Sequence, residues 1–354
     1  MLVPSLFLPW RLVEKLLLKK YLNMKYNYSS IGFITFDCLC WPFVQIPDGG
    51  ETFLVEDFTL AVSGAAGTAV IAASKMGLTC QAVGGVGSDL MGDWVRMRLG
   101  SFDVNTDFLQ TIAGGKTSSS IVTTRADGSR PVLHLKGATG GFFIEEDQFE
   151  QAADADIVHF GGIGLMSRMD TGQNAKLAKF AKERGSVTTV DVFASSKGDM
   201  AAIESILPFT DYFLPSIEEA RALSGLTDLK DNAQYFLARG AGCCIFTLGA
   251  EGAYYHSSKG VEFLMPAFDV DVRCSCGCGD AFNSGFAVAL HHGFSPEVAV
   301  RFAQAASALN ATGLGSQAGV VDFKSTFDFM NQTKTKTKAW EISAEQPALQ
   351  TMMT

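Results

Sequence analysis

Three apolar residues at spacings of four, Phe282, Phe286 and Leu290, follow directly on the stretch Gly277-Cys278-Gly279-Asp280. They predict a helix, which Gly293 ends after the pair His291-His292. The same periodicity predicts helices over Thr68 to Met76 and Gln173 to Arg184. Leu229, Ala233, Phe236 and Leu237 share one face of a further helix reaching Arg239, and Ser295-Pro296 reads as the N-cap and first position of one reaching Leu309. Between these segments fall short β-rich runs: Gln81 to Val86, Ile157 to Phe160, Val187 to Val192, Asp211 to Leu214 and Cys243 to Leu248. Such alternation predicts an α/β fold, with helices on both faces of a mostly parallel sheet and ligands beyond the carboxyl ends of its strands.

Two stretches alternate with period two instead, about 41–62 and 116–136, the second with a turn at Asp127-Gly128. They flank the first helical units, so they predict a small antiparallel β lid inserted into a single domain over 31–330. Residues 1–30 are expected to be an N-terminal extension outside the core, and 331–354 a C-terminal tail. In the extension, the apolar run Leu2 to Trp10 precedes its charges, is interrupted by Pro4 and Pro9, lacks a small-residue cleavage site and is too short to span a bilayer. It can be a surface-lying segment, a targeting extension, or the result of a start placed before Met24.

The chain has 354 residues, 47% of them hydrophobic, which is ample for a large core. Its net charge of −9 and the lack of Lys/Arg runs interleaved with aromatics argue against a nucleic-acid footprint. An acidic chain that binds a polyphosphate must hold it with local backbone dipoles, a few cations and a metal. The eight cysteines lack paired C-x-x-C units and are expected to be reduced thiols in a cytoplasmic protein. Cys274-Ser275-Cys276-Gly277-Cys278 can be a tight turn of small residues, a redox switch or a soft-metal site, because a helix N-terminus lowers a neighbouring thiol pKa.

The glycine turn carries the candidate chemistry. Asp280 sits where backbone N–H groups have no intrahelical partner and the helix dipole is positive. A carboxylate base and a cradle for a transferring phosphoryl group therefore share one turn, and the peptide N–H groups of Gly277, Cys278 and Gly279 can stabilise charge there. An Asp opening a helix is also a common cap, and this hexapeptide alone leaves both readings open.

Other residues read as structural. His134, His159, His256, His291 and His292 show no metal-ligand spacing; Gly84, Gly85 and Gly87 lack the βα context of a dinucleotide site; Ser118, Ser119 and Ser120 lack a nucleophile elbow.

Four motifs in order give the chain its resemblance to a known family. Val83-Gly84-Gly85-Val86-Gly87-Ser88-Asp89-Leu90-Met91-Gly92, Asp127-Gly128-Ser129-Arg130, Thr247-Leu248-Gly249-Ala250-Glu251-Gly252 and Gly277-Cys278-Gly279-Asp280-Ala281-Phe282 together resemble the ribokinase-like kinases of phosphofructokinase B type, from about Ile31 to Val321. The resemblance implies a three-layer α/β/α domain with a β lid that phosphorylates a hydroxyl of a small sugar or sugar acid, with a nucleoside as the lesser alternative, from ATP with Mg2+. It implies Asp280 as general base, the 277–279 turn as anion hole, and Asp37, Ser63, Gly64 and Thr68 around the acceptor. Ser216, Thr247, Gly249, Gly252 and Gln304 would bind the nucleotide, and Glu219 would act on Mg2+ through water. A homodimer through the lid is implied as well.

The chain departs from the family pattern at several positions. Ser216 and Thr68 stand where Asn is usual, Gln304 replaces an Asn near the nucleotide, and Phe193 replaces a polar residue after Asp191. Cys274-Ser275 replaces an Asp-Thr pair whose Asp helps hold a monovalent cation, so potassium activation is not carried over. These changes leave one alternative of a different class, a weakened homologue that binds a nucleotide or sugar for regulation without turnover.

Overall fold

The computed structural model describes residues 25–336; the expectations for 1–24 and 337–354 lie outside the described residues. The described residues build two sheets. The larger takes β1 (Tyr26–Gly32), β4 (Cys80–Gly87), β5 (Leu109–Ile112), β8 (Ala155–Ile163), β9 (Val187–Val192), β10 (Tyr212–Phe213), β11 (Cys243–Thr247), β12 (Ala253–Ser257) and β13 (Glu262–Met265). Their order across the sheet is β13-β12-β11-β10-β9-β8-β1-β4-β5, parallel except for the antiparallel edge of β11, β12 and β13. The smaller sheet, of order β3-β2-β6-β7, takes β2 (Thr35–Trp41), β3 (Asp57–Ser63), β6 (Ser119–Thr123) and β7 (Val132–Leu135).

Two apolar clusters lie on opposite faces of the large sheet. One gathers Tyr28, Ala82 and Ile157 with the helices Ala65–Lys75, Cys278–His291 and Pro296–Ala311. The other gathers Ile31, Val83, Val158 and Phe160 with Gln173–Glu183, Ile217–Ser224 and Leu229–Leu237. Successive strand residues point to opposite faces, so both layers are covered and the fold is the three-layer α/β/α arrangement that the sequence predicts.

The strand pattern differs from expectation in two places. The central strand β1 begins at Tyr26, earlier than the boundary expected at 31, because its polar residues hide it from a hydropathy pattern. The Ser29 and Ser30 hydroxyls are buried and donate to the carbonyl oxygens of Ala152 (2.7 Å) and Ala66 (3.0 Å), one on each side of the sheet. The small sheet likewise begins at Thr35, before position 41, and pairs β2 with β6 in parallel, so it is mixed and not wholly antiparallel.

The chain passes from β1 into β2 within two residues and returns through Ser63 into the helix starting at Ala65. The small sheet is thereby hung over the carboxyl ends of the central strands, where the sheet order and the glycine turn also converge.

Candidate active site

The alternation of the small sheet sorts its side chains into two faces. Asp37 pairs with Ala61 on one side and Ser120 on the other, and Ser120 pairs with His134, so one row crosses all four strands. Asp37, Ser120 and His134 face inward and line a cavity of about 510 Å³ between the two sheets. The next residues along, Cys38, Leu60, Ile121 and Leu133, form the corresponding row on the outer face.

The large sheet supplies the cavity floor. Ser63, Gly64, Asp191, Phe193, Ser216, Glu219 and Thr247 line it, together with Gly277, Gly279 and Asp280. Gly277 caps the helix Cys278–His291 at φ 73°, a left-handed conformation that glycine adopts without strain. A Cβ there would also meet Ser316 Oγ at 2.9 Å and Thr68 Cγ2 at 3.0 Å. This close turn makes Asp280 the third residue of the helix and points it into the cavity.

Asp280 is held above the ordinary carboxylate range, at about 6, by removal from water, with Glu219 and Asp37 adding repulsion. Arg130 opposes the shift from the small sheet, and the Thr68 hydroxyl below the turn opposes it further. The Thr68 Oγ1 is fully buried and makes no hydrogen bond of good geometry; it faces the carboxylate. At neutral pH Asp280 is still mostly ionised, although its environment is less ordinary than an exposed Asp at a helix start would have.

Of the three N–H groups expected to form an anion hole, one already has a partner. The Cys278 N–H donates to the Ser275 carbonyl at 3.4 Å, and its thiol turns away from the cavity, accepting from the Asn310 amide at 3.4 Å. The N–H groups of Gly277 and Gly279, whose residues do line the cavity, have no partner among the described residues. Arg130 is the only Lys or Arg among the lining residues, and it is exposed.

Glu219 closes a capping box. Its Oε2 accepts from the Ser216 N–H (2.9 Å) and hydroxyl (2.8 Å), and the Ser216 oxygen accepts from the Glu219 N–H. Burial raises both Glu219 and Asp191, and Asp191 is driven up further by Glu219 and Asp280. Three mutually repelling carboxylates at one end of a cavity form a donor set that a hard divalent cation would relieve. Among the described residues, however, no group of three His, Cys, Asp or Glu side chains is arranged to hold a metal directly. The residues therefore fit a cation held partly through water.

Gly249, Gly252 and Gln304 do not line this cavity. Gly249 lies exposed in the turn after β11, with open space around it. Gly252 has φ 119°, and a Cβ on it would fall 1.9 Å from the Met265 carbonyl oxygen, so only glycine permits the close approach of these two segments. Gln304 is buried with its Nε2 unpartnered. Sequence reasoning gave no role to Asp191 or to Arg130. The first is signalled only by its place at the end of β9, the second only by its place in the hairpin motif.

Residues 34–322 match the pfkB family of carbohydrate kinases. The chain belongs to that family. It is a phosphotransferase with a hydroxyl acceptor. The kinase is 24% identical over 317 residues to the ribokinase of Haemophilus influenzae, an alignment covering 87% of this chain and 99% of that protein. It is 27% identical over 256 residues to an aminoimidazole riboside kinase of Salmonella typhimurium, covering 71% and 80%. Its fold is shared with the structure of Arabidopsis thaliana ribokinase complexed with ribose and ATP, at TM-score 0.73 and 21% identity, covering 87% of the kinase and 99% of that chain.

Proposed function

We propose that the kinase transfers the terminal phosphoryl group of ATP to a hydroxyl of a small sugar or sugar acid. The observation that carries this reading is the convergence of Asp280, the free N–H groups of Gly277 and Gly279, and the inward row of Asp37 and Ser120 on one cavity. Asp37, whose Oδ1 accepts the Thr35 hydroxyl at 2.8 Å, keeps a carboxylate oxygen for substrate hydroxyls. Ser63 and Gly64 bound the same end.

In the proposed reaction, an Asp280 oxygen takes the proton of the acceptor hydroxyl while that oxygen attacks the terminal phosphorus in line. The bond to the bridging oxygen breaks, and ADP leaves with the electron pair. The N–H groups of Gly277 and Gly279 and the Arg130 guanidinium meet the charge on the group in transfer. Glu219 and Asp191 would hold Mg2+ through water, which neutralises phosphate charge when bound. Closure of the small sheet excludes water that would otherwise compete as acceptor. Thr247 and Ser216 bound the nucleotide side of the cavity, with Gly249 in the exposed turn beyond.

The similarity to an aminoimidazole riboside kinase supports a second acceptor class, ribosides, for which Phe33 and Phe193 on the cavity wall offer ring faces. ADP release measured against a panel of sugars, sugar acids and nucleosides tests both. Acceptor-dependent release identifies the class. Thermal stabilisation by a ligand with no release from any acceptor would overturn the reading in favour of a binding homologue.

The outer face of the small sheet bears Phe58, Leu60, Ile121, Leu133 and Leu135, each more than two-fifths exposed. Its occupant in this proposal is the same face of a second copy, since such an apolar surface is self-complementary.

A further inference from the structure

Three thiols precede and enter the catalytic turn, and the proposed reaction uses none of their sulfur atoms. Cys274 is fully buried, yet it is surrounded like a charged group. Its Sγ accepts the Cys276 N–H at 3.4 Å, lies 3.5 Å from the Thr124 hydroxyl and receives a backbone N–H from Gly315. The Cys276 side chain packs in the same buried cluster, with its sulfur 3.6 Å from the Ser316 hydroxyl. Hydrogen bonding from Cys276 is the main cause that brings Cys274 down to about 5, and the same contact, with burial, drives Cys276 up. One proton is shared by two sulfurs.

The other thiols differ. Cys278 is raised to about 11 by burial; Cys80, Cys243 and Cys244 are raised in the core, and Cys38 and Cys40 on the small sheet. Only Cys276 lines the cavity, so the pair is reached from the substrate side.

We propose that Cys274 and Cys276 are a reversible oxidation site, forming a disulfide with a small hydroperoxide that enters through the cavity. Cys276, which lines the cavity, passes its proton to the buried Cys274 thiolate as its sulfur attacks the peroxide and breaks the O–O bond; one oxygen leaves as hydroxide, is protonated to water, and Cys276 becomes a sulfenic acid. The Cys274 sulfur then displaces that hydroxyl, its proton leaves with it as a second water, and the S–S bond forms. Two electrons pass from the sulfurs to the peroxide. The bond from the Cys276 N–H to the Cys274 sulfur folds the chain back between them, and both side chains sit in one small buried cluster with Leu39 and Val122, the proximity that a disulfide requires.

The disulfide acts on the turn that follows. Asn310 Nδ2 donates to the Cys276 carbonyl at 2.7 Å, and Gly277 with its cavity-facing N–H comes next. Drawing the Cys276 side chain toward Cys274 displaces that N–H, so oxidation stops phosphoryl transfer. This consequence rests on the proposed function; the oxidation itself does not.

The test treats the full chain with hydrogen peroxide, alkylates the remaining thiols and maps the tryptic peptide beginning at Cys274 by mass spectrometry. The expected product carries alkylated Cys278 and a Cys274–Cys276 bond, lost on adding a thiol reductant. Cys274→Ser should stop at a dimedone-reactive sulfenic acid on Cys276, and Cys278→Ser should still form the bond. Alkylation of all three thiols after peroxide, or a bond through Cys278, overturns the site. With the acceptor found in the panel, ADP release should fall with bond formation and return on reduction; a fully formed bond with unchanged release overturns the control of turnover.

Discussion

Asp37 and Ser120 are direct neighbours across the parallel pairing of β2 and β6, and both face the cavity opposite Asp280. The proposed acceptor site is thus half sheet and half turn. A hydrogen bond to a charged group is worth about 1.5–3 kcal/mol, so Asp37→Ala should weaken acceptor binding roughly 10- to 100-fold. Steady-state kinetics should show this in the acceptor KM, with the ATP KM nearly unchanged.

Asp280→Asn removes the proposed base while keeping the shape of the turn. Turnover should fall by at least ~10²-fold with modest change in nucleotide affinity. Near-normal turnover would remove Asp280 from the reaction.

Because burial lifts Asp280 to about 6, its proton-accepting form is lost as pH falls through that value. The rate should therefore have an acid limb near pH 6. Arg130 opposes the lift, so Arg130→Ala should move the limb to higher pH, and Thr68→Val should move it the same way by less. A pH–rate profile for each variant decides.

The same shift has a sign for stability. A carboxyl raised on folding favours the protonated folded state, so this contribution is full below the unfolded pKa and is lost as pH rises through about 6. Asp280 is partly exposed, so a screened figure of about 1–2 kcal/mol is reasonable. Asp280→Asn should melt higher than the parent at pH 7, and the gap should close near pH 4. Calorimetry at the two pH values measures it.

Gly252→Ala separates packing from binding. The strained φ and the clash with the Met265 carbonyl predict a loss of stability of at least ~1–3 kcal/mol in denaturant unfolding. Gly249→Ala meets no neighbour and should cost less. Equal losses would show that the two glycines do the same work.

Much of this was readable from residue order. The helix Pro296–Ala311 begins where Ser295-Pro296 places it, with Ser295 Oγ accepting the Val298 N–H, and Cys278–His291 ends before Gly293 as expected. The glycine turn and its carboxylate were legible because local chain chemistry makes them. The start of β1 was not, because Ser29 and Ser30 are satisfied by carbonyls more than thirty positions away in the chain. Nor was the crowding of Asp191, Glu219 and Asp280, which are brought together by three separate elements. Gly252, by contrast, lies outside the cavity lining, and its left-handed φ and close approach to Met265 belong to the turn between β11 and β12.

The two-residue passage from β1 into β2 makes the division of labour between the sheets consequential. In the proposed reaction one surface would inspect the guest through Asp37, and the other would carry out the chemistry through Asp280. A molecule that satisfies only one of them would leave the machinery apart, so ATP alone would be spared. Discrimination would then come from assembly: the right passenger finishes building the catalyst.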